Sequence, residues 1–198
     1  MQVVDIFYET LQRAYRNGIK VVVSEDLIIK DGLDFGGYFD QKERELGIST
    51  VYPRGTWIPI FVHESCHMDQ WIEDSEVWIK NSSGVDGFID WLQHKIEVDD
   101  REELSRICKA AQEIEIDCEK RTVKKCHEWG IKLPKDYIKK ANSYILSYQW
   151  CKKNRKWMGD YEDKRILKKI PNVWMDSYDL SDELSGIMDF VYSEEENN

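Results

Sequence analysis

The chain has 198 residues, 41% of them hydrophobic and 12% aromatic, with 28 Lys and Arg against 38 Asp and Glu. Eight Trp, ten Tyr and six Phe carry too much rigid apolar area to leave in water, which excludes a disordered chain and requires a packed core. No run of 18 apolar residues occurs, and Asp5 and Glu9 fall where a signal peptide needs its apolar region, so the expectation is a cytoplasmic protein with no membrane partner.

Five cysteines (Cys66, Cys108, Cys118, Cys126 and Cys151) form no C-x-x-C pair and are widely spaced, which argues for reduced thiols rather than a disulfide framework. The net charge of −10 is unevenly distributed: −13 over residues 1–119, +11 over 120–170 and −8 over 171–198. Two readings of the basic segment follow. It can track a nucleic-acid backbone, with Trp129, Tyr137, Tyr144, Tyr148, Trp150 and Trp157 stacking on bases, or it can be Lys-rich helices over which the acidic end folds back. The overall negative charge disfavours nucleic acid.

In chain order, Val3, Ile6, Phe7, Leu11, Ala14 and Tyr15 recur at helical spacing and predict a first helix ending at Gly18. The β-branched run Ile19–Val23, then Tyr38–Asp40 and Glu45–Thr50, set off by Lys30-Asp31-Gly32 and Gly36-Gly37, predict a small antiparallel sheet. Thr56 can cap a second helix with Pro59 in its first turn, continued by Trp57, Ile60, Phe61, Glu64 and Met68. Residues 72–100, which contain Asn81-Ser82-Ser83-Gly84, read as a short irregular section or helix. A long helix from about Leu104 to Trp129 is stopped by Gly130, and another runs from Pro134 to about Trp150. Past Gly159 the pattern weakens, and Ser193–Asn198 reads as a disordered acidic tail. The expected class is α+β: one domain over residues 1–170 with a mainly helical C-terminal half, then an acidic extension over 171–198.

His63-Glu64-Ser65-Cys66-His67 reads H-E-x-x-H. On a helix, the four-residue spacing puts both imidazoles on one face, one turn apart, able to bind the same Zn²⁺. Glu64 can then act as general base on a water activated by the metal. Cys66 faces away from that metal by helix geometry and reads as a packing thiol.

Zinc takes a third protein ligand and leaves a fourth position for water. His94 and His127 do not extend the motif, so a carboxylate is the better candidate. The apolar stripe at positions 104, 108, 111, 118 and 122 of the long helix has a gap at Glu115. A carboxylate on a buried face needs a partner, and zinc would be that partner. Glu119, one turn on, can accept the N–H of a ligating imidazole. Glu113 with Asp117 offers the same spacing but shares the solvated stripe of Glu103, Arg106, Lys120 and Lys124, so the periodicity favours Glu115.

H-E-x-x-H followed about 45 residues later by Glu115-Ile116-Asp117-Cys118-Glu119 resembles the gluzincin branch of zincin-type metallopeptidases, and is similar to the minimal ImmA/IrrE-type and phage-encoded domains. The resemblance implies an active-site helix, a small sheet whose edge strand pairs with an extended peptide, and a second helix returning the third ligand. It makes Glu45–Thr50 the candidate edge strand. The chain departs from the pattern after the third ligand, continuing as Lys120-Arg121-Thr122-Val123-Lys124-Lys125 where an apolar stretch is usual.

A site of this kind also wants a donor to the oxyanion. Tyr144 and Tyr148, one turn apart, are the candidates. The leading expectation is a zinc-dependent metallopeptidase acting on a peptide or protein substrate. The alternatives are a nucleic-acid-associated protein and a zinc-stabilised scaffold without catalysis.

Overall fold

The computed structural model describes residues 3–30 and 33–195. It is α+β, about 61% helical, with seven helices and a three-stranded mixed sheet among those residues. The chain forms two compact units: residues 1–78 with 117–133, and residues 79–116 with 134–198.

In the first unit, α1 (Val3–Arg16) buries Ile6, Thr10 and Ala14, one residue per turn. Leu11 and Tyr15, expected on the same stripe, are exposed at 40% and 85%. Gly18 (φ +68°) ends the helix, and the N–H of Ile19 donates to the Ala14 carbonyl at 2.9 Å.

The sheet runs β1 (Lys20–Ser24), β5 (Glu45–Ser49), β4 (Gly37–Asp40). Strand β1 is parallel to β5, with Val23 opposite Ile48, and β4 is antiparallel to it, with Phe39 opposite Leu46. The sheet is therefore mixed rather than antiparallel. Strand β5 is central, so the expected edge strand is not an edge. The reason lies in the connection: the chain between Ser24 and Glu45 is long enough to carry the β2–β3 hairpin (Ile28–Lys30, Leu33–Phe35) and β4, and so returns β5 parallel to β1, which a tight turn cannot do. The expected turn at Asp31-Gly32 lies outside the described residues.

Helix α2 (Arg54–Ile72) begins two residues before the expected cap. Pro53 occupies the N-cap, and Thr56 lies in the first turn with its N–H donating to the Pro53 carbonyl at 2.8 Å. Pro59 is consequently inside the helix. One core of the unit joins Ala14, Ile19, Leu46, Ile48, Phe61 and Met68, with Phe7 stacked on Phe61 at 4.1 Å. Another joins Ile58, Val62 and Cys66 of α2 to Cys118 and Cys126 of α4 (Arg101–Glu128). Gly130 (φ +69°) follows α4.

In the second unit, α3 (Glu76–Leu92) is a full helix through Asn81-Ser82-Ser83-Gly84, the helical one of the two readings open for this stretch. Packing overrides the weak local propensity. A methyl on Gly84 would lie 2.5 Å from Ala110 Cβ, so glycine lets α3 approach α4, and Asn81 donates to Glu113 at 3.0 Å. Helices α5 (Tyr137–Asn154), α6 (Lys164–Leu167) and α7 (Asp182–Glu195) complete a core that includes Phe88, Ile107, Ile145, Trp150, Ile166 and Met188.

Much of the acidic end belongs to this core. Leu184, Met188 and Val191 of α7 are buried in it, and the acids of α7 pair with the basic segment: Lys153–Asp189 at 2.9 Å, Arg165–Glu194 at 2.6 Å and Lys169–Glu183 at 2.6 Å. Residues 193–195, expected as part of a disordered tail, close α7, and 196–198 lie outside the described residues. No described helix is long and apolar enough to cross a membrane.

Candidate metal centre

Helix α2 carries His63, Glu64 and His67, and the rings of the two histidines meet edge-on across one turn, nearly perpendicular with centroids 4.8 Å apart. Their Nε2 atoms are 3.2 Å apart. The other nitrogen of each ring meets an oxygen: His67 Nδ1 lies 2.9 Å from Gln70 Oε1, and His63 Nδ1 lies 3.2 Å from Glu119 Oε1.

These partners decide the tautomers. Gln70 Nε2 donates to Asp117 Oδ2 at 2.8 Å, which turns the amide oxygen toward His67. That oxygen and the Glu119 carboxylate can only accept, so each imidazole must carry its proton on Nδ1. Both Nε2 lone pairs then converge. Two acceptors at 3.2 Å repel each other unless a cation, either a metal ion or a proton, is shared between them. Ligand nitrogens at ~2.0–2.1 Å from one tetrahedral zinc stand roughly 3.3 Å apart, so the donor pair fits zinc.

Among the described residues, His63, His67 and Cys118 offer ligand atoms that all lie within 4.8 Å of one another. Cys118, however, approaches the Nδ1 edge of His63, at 3.7 Å, and its thiol donates to the His63 carbonyl at 3.2 Å. An ion shared through the two Nε2 atoms uses the opposite edge of that ring. The Cys118 contact is therefore one that fixes His63 on the helix.

Glu64 is half-buried beside β4. A methyl on Gly37 would lie 2.9 Å from Glu64 Cγ and 2.8 Å from Ile60 Cγ2, so glycine at this strand position sets how near the helix and its carboxylate come to the sheet. Cys66 is fully buried with Cys118 and Cys126. Its thiol is lowered to about 7, chiefly by a hydrogen bond from Cys118, with Lys125, Thr122 and His63 adding to the effect and burial opposing it. Burial pushes Cys126 up to about 12.

In the second unit, Glu115 Oε1 accepts from Tyr148 at 3.0 Å and from Tyr144 at 3.3 Å, and the two hydroxyls are 2.9 Å apart. Burial, reinforced by the charge of Glu115, pushes both phenols well above their ordinary range. Glu113 accepts from Lys80 and Asn81, both at 3.0 Å, which hold its carboxyl below the usual range against burial. Within the first unit, then, His63, His67 and Glu119 are brought together, and within the second, Glu115, Tyr144 and Tyr148.

Sequence reasoning missed Gln70, and it placed Asp117 on a solvated stripe and Cys118 on the apolar one without assigning either a contact with the histidine pair. Gln70 had a usable signal, since it follows His67 by three residues and so shares its helix face. Comparison with family models, with curated proteins and with solved structures returned no match.

Proposed function

We propose that the chain is a zinc-dependent metallopeptidase of the zincin type, acting on a peptide or protein substrate. The observation that supports this reading most is the pair of Nε2 lone pairs converging at 3.2 Å, with both Nδ1 protons committed elsewhere. His63 and His67 are the two imidazole ligands. Glu119 orients His63.

Zinc bound there supplies Lewis acidity, which brings deprotonation of water near neutrality and polarises the scissile carbonyl. Glu64 takes the proton of the attacking water and passes it to the leaving amine nitrogen. An extended substrate pairs with β4, an edge strand and the one against which Glu64 packs.

The nucleic-acid reading is the weaker one, because Tyr148 and Trp150 are buried and Lys153, Arg165 and Lys169 are paired with acids. Five buried free thiols suit a reducing, cytoplasmic compartment. The test is cleavage of a mixed peptide library by zinc-loaded protein, read by mass spectrometry. Wild type should cut, and Glu64→Gln should retain zinc and lose at least about two orders of magnitude in rate. A Glu64→Gln protein with full activity overturns the mechanism, and an uncut library with zinc bound favours the non-catalytic scaffold.

A further inference from the structure

We infer that Gln70 is a positioning residue, holding His67 as its Nδ1–H tautomer and aiming Nε2 at the cation shared with His63; this rests on the metal reading above.

Gln70 is fully buried and bridges two groups of opposite demand. On one side the Nδ1–H of His67 needs an acceptor, at 2.9 Å, and on the other the Asp117 carboxylate needs a donor, at 2.8 Å. An amide meets both at once. Glutamate could accept from His67 but would set a second carboxylate against Asp117, and methionine has the length without either bond.

The far end of the bridge is anchored. Arg121 Nε donates to Asp117 Oδ2 at 2.6 Å, and its Nη1 donates to Glu73 Oε2 at 2.8 Å. Glu73 Oε1 accepts from Arg13 at 2.7 Å, Arg13 pairs with Asp69 at 2.6 Å, and Asp69 pairs with Lys125. Charges of alternating sign thus tie α1, α2 and α4 together around the amide. Residues three and four apart supply two of the links: His67 to Gln70, and Asp117 to Arg121.

The experiment uses the full chain, with Gln70→Met, Gln70→Glu, and the double change Gln70→Glu with Asp117→Asn, which exchanges donor and acceptor across the bridge. Two readouts are taken: zinc affinity by competition with a chromophoric chelator, and the His67 tautomer by ¹⁵N–¹H correlation in metal-free protein at about pH 8, where imidazole is neutral. Gln70→Met and Gln70→Glu should each weaken zinc binding about 10–100-fold. Gln70→Met should also let His67 populate the Nε2–H form, and the double change should recover affinity to within a few-fold of wild type.

A Gln70→Met protein with unchanged affinity and an unchanged tautomer overturns the inference and leaves the metal reading standing. A double change as weak as Gln70→Glu also overturns it, by showing that the bridge's polarity is immaterial. Wild type that takes up no zinc ends the metal reading instead. The metal-free tautomer then still decides the role of Gln70: an Nδ1–H form lost in Gln70→Met supports it, and a form indifferent to the change overturns it.

Discussion

His63 and His67 present their Nε2 atoms to each other at 3.2 Å, each ring tethered from behind through Nδ1 by an oxygen acceptor. The tethers turn a helical four-residue spacing into a preorganised pair of metal ligands, because they decide both the orientation and the protonation of each ring.

Metal binding to the native state alone must raise stability by mass action. At free zinc of about 100 times the dissociation constant the gain is about 2.7 kcal/mol. Thermal melts should therefore shift upward with zinc and fall on addition of a chelator. His67→Ala should show neither response.

Gly37→Ala tests how the sheet sets the position of Glu64. The new methyl would meet Ile60 Cγ2 at 2.8 Å and Glu64 Cγ at 2.9 Å, so the side chains or the helix must move. Overpacking of this kind destabilises by about 1–3 kcal/mol. Peptide cleavage should fall by more than zinc affinity does, since the contact is with the proposed base and not with the histidines.

Glu113 and Glu119 of α4 should separate in a zinc competition assay. Glu119→Ala should lose about 10–100-fold as the orienter of His63, and Glu113→Ala should change little, being committed to Lys80 and Asn81. A greater loss in Glu113→Ala would contradict that assignment.

In the second unit, Asp189 accepts from Trp150 at 2.8 Å and Lys153 at 2.9 Å, and these bonds hold its carboxyl below the ordinary range although burial opposes them. A carboxyl depressed in the folded state stabilises above its unfolded value of about 3.9, and that contribution disappears as pH falls through the folded value. Asp189→Asn should thus lower the melting temperature at pH 6 and converge with wild type in strong acid. Urea melts at several pH values below 6 would show whether the gap closes.

What was legible in the sequence was local. H-E-x-x-H needs only helical spacing, and Gly18 and Gly130 announce their helix ends because a positive φ favours glycine. Pairings between distant segments were not legible. The central place of β5 depends on how the chain from Ser24 to Glu45 folds back, and the helix through Asn81–Gly84 depends on Ala110 leaving room for it. That the acidic end folds back over the basic helices was one of the sequence readings, but which Lys or Arg each acid of α7 meets was not legible. Gln70 was half legible: its place three residues after His67 is local, but its second bond is to Asp117, 47 residues away.

The central claim is that His63 and His67 share a zinc ion, and elemental analysis tests it most directly. Protein purified without chelators or a His-tag, equilibrated with Zn²⁺ and freed of excess, should carry one equivalent of zinc per chain, and His63→Ala treated alongside should carry none. Wild type without zinc, or a His63→Ala protein that retains it, would contradict the account.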